Sequence, residues 1–457
     1  VTYREARVYL DEMSKYGSVL GLDTIRGLLR ELGDPQDDLK FIHIAGTNGK
    51  GSVLAYTSMI LSEAGYRIGR YVSPTVVSYL ERIQIDTEWI SEDKFAELTM
   101  RVRDAIARLE AAGKEIPTVF EIETAIAFLY FKEMKCDLVV LEAGLGGELD
   151  ATNIIKNTVC AVFASISRDH LGVLGNTITE IAENKAGIIK PGCAVVSACQ
   201  TDCVAEVIRS RAQRYGCTYV QAEPECVKIG QEDYHGIYFS YKEFTEMHTV
   251  MAGKNQIGNA AAVLELICVL RRMGYHIADD AVRRGMERTK WPGRFSCIGE
   301  EPVFILDGAH NEDAARKLRE SVEAYFPGRR LICIMGVFKD KEYDRIARIM
   351  GSLASVIYTV DLPDRKRGLP AEDLAEILKE YCPCVKCPGR YGPGEKRGPQ
   401  KQSAPRQESR DSMSQQSSVD CAVQAALLEA ERNDVILAFG SLSYLHQVKE
   451  AYDRAVW

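Results

Sequence analysis

The stretch Phe41-Ile42-His43-Ile44-Ala45-Gly46-Thr47-Asn48-Gly49-Lys50-Gly51-Ser52 constrains this chain more than any other. A short apolar, β-branched run reads as a buried strand. It breaks into a glycine-rich turn with one lysine, then into a helical pattern through Val53, Leu54, Tyr56, Thr57, Ile60 and Leu61. Strand, glycine loop and helix together can cradle phosphate, because glycines let backbone N–H groups converge and the helix N-terminus adds partial positive charge. Lys50 can reach a terminal phosphate, and Ser52 or Thr47 can bind the accompanying magnesium. The strict Walker spacing is missed, since Gly51 separates Lys50 from Ser52. The competing reading is a plain βα turn.

The 457 residues can form two or three domains with sizeable cores. With 65 acids against 57 bases, the net charge of −8 leaves no electrostatic footprint for nucleic acid or an anionic membrane. No apolar run approaches the roughly 20 residues of a transmembrane helix. Arg4 and Glu5 charge the N-terminal stretch, so no signal peptide fits. The 14 cysteines are scattered, several in apolar runs, which suits reduced thiols and a cytoplasmic enzyme. Cys382, Cys384 and Cys387, with Cys421 downstream, lack a second close pair. They read as thiols on a loose segment in preference to a zinc site.

Strand and helix alternate along the chain. Apolar stripes predict helices over Tyr3 to Met13 and Thr24 to Leu32, and Lys15 to Leu22 reads as a loop. Ile68 to Val72 and Asp137 to Leu141 read as strands, the second nearly continuous in apolar residues, as expected in a parallel sheet covered on both faces. Helices are expected at 92–112, from the cap Ser91, and at Phe120 to Met134. Thr158 to Ile166 and Ala194 to Ser197 extend the strand series, with helices over Thr177 to Ile189 and Asp202 to Tyr215. A β-like patch at 217–250 precedes two further helices. The order predicts an α/β fold with a doubly wound, mostly parallel sheet. Trp291-Pro292-Gly293-Arg294 marks a boundary. A second, smaller βα series follows: strands at Val303–Leu306, Leu331–Met335, Val356–Val360 and Val435–Phe439, and helices at 311–325, 341–350, 371–380 and 420–431. Residues 383–418 are rich in Pro, Gly, Ser, Gln, Lys and Arg and read as a disordered insertion with nothing to bury.

Polar groups at strand ends are the candidates for chemistry. Ser73, Glu142 and Asp169-His170 each follow an apolar strand, where ligands gather in open α/β sheets. Oxygen ligands of this kind suit magnesium. The bland alternative for Glu142 is a turn carboxylate, and for His170 a satisfied polar residue. Lys185 lies in a helix whose end, Ala186-Gly187-Ile188-Ile189, is packed; a buried amine has a lowered pKa, although a lysine there is more often solvated. Asp307-Gly308-Ala309-His310-Asn311 occupies another strand-to-helix turn.

Taken together, these motifs resemble folylpolyglutamate synthase, including its bifunctional dihydrofolate synthase forms, within the Mur ligase superfamily. The resemblance spans nearly the whole chain outside 383–418. It rests on Ala45 to Ser52, Ser73-Pro74 with Glu81-Arg82-Ile83, Leu141 to Asn153, and Ile166 to Leu171 leading to Lys185-Ala186-Gly187. Trp291 to Phe295, Asp307 to Asn311 and Phe439 to Leu445 complete it. The GTNGKGS loop is this family's own variant of the Walker pattern.

The resemblance implies an ATP-binding Mur-ligase-like catalytic domain over 1–290 and a C-terminal α/β ligase domain over 296–457. It implies an ATP-dependent ligase that converts a folate carboxylate to an acyl phosphate and captures it with L-glutamate, dihydropteroate being the acceptor in bifunctional forms. Gly46, Thr47, Asn48, Gly49, Lys50, Gly51 and Ser52 would hold the phosphates, with Asn259, Arg294, Asp307 and His310 as further ATP contacts. Two magnesium ions would be held by Ser52, Ser73, Glu142 and His170, together with Lys185, which matches the lysine carbamylated by CO₂ in this family. Lys50, His170 and Lys185 are then the catalytic set. Leu80, Glu81 and Arg82, with Lys15 to Leu22, are similar to segments lining the pterin side. The expected partners are these small molecules alone, on a monomer. Thr75 stands where the family commonly has histidine, and Lys254-Asn255-Gln256 where His-Gln is frequent. A Mur-type ligase acting on a cell-wall nucleotide carries a further N-terminal domain, whereas about forty residues precede the loop here. A non-catalytic nucleotide-binding module would not need the Asp307/His310 turn or Lys185.

Overall fold

The structure is a computed structural model that describes residues 1–17, 20–169, 172–388 and 417–456. The chain divides into two compact units, Val1–Arg294 and Phe295–Trp457.

The first unit is built on an eight-stranded sheet of β1 (Phe41–Ala45), β2 (Ile68–Tyr71), β3 (Ile83–Ile85), β4 (Glu88–Trp89), β5 (Leu138–Glu142), β6 (Thr158–Phe163), β7 (Ala194–Ser197) and β8 (Thr218–Gln221). Their spatial order is β4-β3-β2-β5-β1-β6-β7-β8. All neighbours are parallel except β2–β3 and β3–β4. The central strands are apolar on both faces because both are covered. Ile42 and Ile44 of β1 join a core with Val140, Val162 and the helices Lys50–Glu63 and Gln256–Arg272. Phe41 packs on the opposite face with the helices Glu92–Ala111 and Val119–Glu133. The architecture is therefore the doubly wound, parallel-dominated one that the βα order predicts. The β-like patch at 217–250 resolves into β8 and a separate antiparallel sheet of β9 (Val227–Asp233), β10 (Gly236–Tyr241) and β11 (Phe244–Thr249).

The second unit holds a six-stranded sheet of β12 (Ser296–Glu300), β13 (Val303–Leu306), β14 (Leu331–Met335), β15 (Val356–Thr359), β16 (Val385–Lys386) and β17 (Val435–Phe439). The order is β12-β13-β17-β14-β15-β16, with only β12 antiparallel. The disordered insertion expected at 383–418 is too wide at both ends. Val385 and Lys386 pair with Ile357 and Tyr358, and Ser417 caps a helix over Ser418–Glu429 through a capping box with Asp420. Cys382 is buried, its thiol donating to the Ala354 carbonyl at 3.5 Å. Residues 389–416 of that insertion lie outside the described residues. Among the described residues no helix is long and apolar enough to cross a membrane.

Candidate active site

Strand order brings the candidates together. β5 lies between β2 and β1, with Ile44 opposite Glu142 and Tyr71 opposite Leu141. Ser73, Glu142 and the Gly46–Ser52 loop therefore emerge side by side at the carboxyl ends of three adjacent strands. That is where an open α/β sheet binds ligands.

The loop is fixed from below. The Thr47 and Asn48 N–H groups donate to the Ser165 carbonyl at 2.7 and 3.2 Å. The Thr47 hydroxyl donates to the Ser167 carbonyl at 2.9 Å and accepts from the Ser167 N–H at 3.1 Å. Lys185, buried in its helix, donates from Nζ to the Gly46 carbonyl at 2.8 Å. Gly49 caps the helix Lys50–Glu63 at φ 89° with no side-chain bond to the helix N–H groups. Such an uncapped end is a ready seat for an anion. A Cβ on Gly49 would lie 2.3 Å from Asn259 Oδ1, and one on Gly51 2.6 Å from Trp291 Nε1. The glycine between Lys50 and Ser52 thus has a physical cause: the Trp291 indole occupies the space a side chain would need.

Lys50 Nζ lies 3.8 Å from Glu142 Oε1. Glu142 Oε2 accepts from the Ser73 N–H at 3.4 Å. Burial pushes the Glu142 carboxyl above its ordinary range, while Lys50 and then Arg294 pull it back down. The Ser52 hydroxyl is buried and has no hydrogen-bond partner among the described residues. An orphaned hydroxyl and a desolvated carboxylate beside an anion seat are hard oxygen donors of the kind magnesium takes. Among the described residues no three His, Cys, Asp or Glu side chains gather as a metal set. His170, expected to complete it, lies outside the described residues.

A second tier behind Glu142 went unread in the sequence. Asp150 accepts from the Leu145 N–H at 2.7 Å and the Thr152 N–H at 3.0 Å. The Thr152 hydroxyl donates to the Asp150 carboxylate, so its oxygen accepts from His43 Nε2–H at 2.9 Å. Burial, and secondarily Lys190, holds the His43 pKa at about 3, so the ring is neutral. This chain of bonds clamps the turn after Glu142 to the middle of β1. Asn153 Nδ2 donates to the Glu148 and Gly187 carbonyls at 3.0 and 3.1 Å, joining the same turn to the end of the Lys185 helix. A histidine amid the apolar β1 run was the available signal.

The pterin-side candidates turn inward. Leu80 is buried in the core. Glu81 accepts from the Val76 and Val77 N–H groups at 3.0 and 2.8 Å. Arg82 pairs with Glu123 at 3.0 Å, and the Tyr79 hydroxyl donates to the same carboxylate. These groups shape the segment after Ser73. In the second unit, Asp307 accepts from the Phe295 and Ala309 N–H groups at 2.9 and 2.8 Å. His310 Nδ1 lies 2.8 Å from the Gly308 carbonyl, and Asn311 caps the helix Glu312–Tyr325.

The class follows from the family models that match. Residues 44–267 match the Mur ligase middle domain, and residues 293–442 match the Mur ligase glutamate ligase domain. The dihydrofolate synthase/folylpolyglutamate synthase of Bacillus subtilis is 35% identical over 384 residues, covering 82% of this chain and 89% of that protein. The structure of E. coli FolC with DHPP and ADP superposes with a TM-score of 0.81 at 27% identity, covering 99% of this chain and 98% of that one. A bifunctional folylpolyglutamate synthase/dihydrofolate synthase with Mn, AMPPNP and L-glutamate bound gives 0.78 at 27% identity, over 100% and 98%. The chain belongs to the folylpolyglutamate synthase/dihydrofolate synthase family of Mur-type ligases.

Proposed function

We propose that this protein joins L-glutamate to the carboxylate of a folate at the expense of ATP, and that dihydropteroate is a second acceptor. The carrying observation is the side-by-side placement of the glycine loop, Ser73 and a buried Glu142 held 3.8 Å from Lys50. Likeness to the B. subtilis synthase over most of both chains supports the substrate class.

In this reading the loop N–H groups and the helix N-terminus seat the triphosphate. Lys50 moves from its weak contact with Glu142 onto the γ-phosphate and neutralises charge as the phosphoryl group transfers. The acceptor carboxylate attacks phosphorus, ADP leaves, and the glutamate amine displaces phosphate from the acyl carbon. Magnesium held by Ser52, Ser73 and Glu142 would supply electrostatic stabilisation of the phosphoryl oxygens. Burial raises the Glu142 pKa, and the charges of Lys50 and Arg294 work against that rise. Lys185 supports Gly46 directly. Its carbamylation would replace the cation beneath the loop with an anion of the kind that helps bind magnesium. For Asn259 the support is its contact at Gly49; for Asp307, His310 and His170 it is the family resemblance. Leu80, Glu81 and Arg82 act by holding the substrate-side segment in shape.

The test is purified protein with ATP, magnesium, glutamate and either dihydropteroate or a reduced folate monoglutamate, reading ADP release and product mass. ADP release requiring both acceptor and glutamate is expected. Hydrolysis indifferent to both would overturn the reading in favour of a nucleotide-binding module.

A further inference from the structure

In a chain of net charge −8, one concave surface of the first unit is locally positive. A cavity of roughly 540 Å³ lies beside the helix Asp23–Glu31, and the charged side chains lining it are Arg26, Arg30, Lys156 and Lys190 against the single carboxylate of Asp34. A neighbouring hollow of roughly 450 Å³ shares Arg26 and Arg30 and adds Lys114 together with the carboxylates of Asp23 and Glu115. The two form a trough along one helix.

Two of the cations already have carboxylate partners: Arg26 pairs with Asp23 at 2.5 Å and Lys156 with Asp37 at 2.8 Å. Arg30 has none among the described residues. Lys190 is half-buried, and among the described residues it donates to the Asn153 carbonyl, at 3.0 Å, and to no carboxylate. A cation partly withdrawn from water without a counter-ion leaves local charge unbalanced, and in the first cavity Asp34 is the single carboxylate set against Arg30 and Lys190. The floor includes Ile154, Ile155 and Pro191. Cations from three separate segments over an apolar floor suit an extended ligand carrying several carboxylates joined by methylenes. Arginine forks take carboxylates in bidentate fashion.

The trough is also tied to the proposed site. Asn153 belongs to the loop whose Asp150 and Thr152 clamp the turn after Glu142. Leu22, which also lines the cavity, ends the Lys15 to Leu22 segment expected on the pterin side.

We propose that this trough is an accessory site for an oligo-γ-glutamate chain, binding the tail of long-chain substrates and products away from the reacting carboxylate. The proposal rests on the glutamate-adding function above. It predicts chain-length preference without a role in the chemical steps.

Calorimetry of the full chain with free penta-γ-glutamate tests it, alongside inorganic phosphate as a second probe. The double variant Arg26→Gln/Arg30→Gln should bind the pentaglutamate about tenfold more weakly, and Arg30→Lys within about threefold of wild type, since the lysine keeps the charge but loses the fork. In turnover, the double variant should raise KM for a folate pentaglutamate about tenfold and leave kcat and the monoglutamate KM unchanged. Equal effects on both chain lengths, or no effect on either, would overturn the proposal. So would phosphate displacing pentaglutamate at equal concentration, which would mark a general anion seat. A wild-type protein that turns over no monoglutamate would refute the ligase reading instead, and the calorimetry would still decide the trough.

Discussion

Gly51→Ala is the sharpest probe of the loop. Gly51 is the second residue of the helix Lys50–Glu63, where alanine is otherwise favoured over glycine by about 1 kcal/mol. Here the new methyl would sit 2.6 Å from Trp291 Nε1 and 3.1 Å from Cε2. The obstacle is a ring packed on the core, so either the indole or the helix start must shift. Overpacking of this kind costs about 1–3 kcal/mol, so the net loss should be about 0–2 kcal/mol. The larger effect should be on ATP. The loop N–H groups are displaced with the helix start, and small misplacements of positioning groups cost about tenfold or more. Urea unfolding and calorimetric ATP affinity should be measured for Gly51→Ala, Trp291→Ala and the double variant. Trp291→Ala removes the obstacle, so the methyl should cost nothing further in the double variant and the coupling should reach at least about 1 kcal/mol. The steric account is refuted if Gly51→Ala is more stable than wild type with unchanged ATP affinity. It is refuted equally if the two substitutions add within about 0.5 kcal/mol.

Glu142→Gln should reduce turnover at least about 100-fold by removing a charged ligand group. Because burial raises the Glu142 pKa above 4.5, its stabilising contribution is full below the unfolded value and lost as pH rises through the folded one. Melting curves should therefore show the glutamine variant gaining on wild type as pH rises above about 4.5; unfolding of the variant at neutral pH would make the carboxylate structural. Asp150→Asn places an amide where the Leu145 N–H and the Thr152 hydroxyl both donate. It should cost about 2–3 kcal/mol by denaturant titration and lower turnover with it, whereas unchanged stability would show the clamp to be dispensable. Lys185→Ala should abolish ADP release with the circular dichroism spectrum retained, and wild-type turnover in that variant would retire the carbamate.

Local chemistry made much of the fold legible. β1, its glycine turn and the following helix are encoded within a dozen consecutive residues, and the apolar run of β5 reads directly as a strand covered on both faces. The misses share a cause. β16 is two residues long and exists because Val385 and Lys386 meet β15; nothing in a proline-rich stretch announces that pairing. β3, β4 and β12 are short antiparallel strands defined by their neighbours in the same way. The helix start at Ser418 is different, because its Ser417–Asp420 capping box was a local signal overridden by composition.

The site divides along the same line. Ser73, Glu142 and the loop could each be nominated from strand-end positions, but their meeting depends on β5 lying between β2 and β1, which chain order does not state. Arg82 shows the converse. It matched a substrate-side motif, yet its guanidinium is committed to Glu123, a partner visible only once the helix Val119–Glu133 is packed. The departure from Walker spacing joins the two cases. Gly51 looks like an irregularity so long as only the loop is considered. It becomes a requirement once Trp291 is seen against it, and Gly49 likewise against Asn259. The space a side chain would need at these two glycines is filled by two side chains far along the chain. A nucleotide site of this type is therefore specified by the packing of the Gln256–Arg272 helix and the Trp291 turn as much as by the glycines themselves.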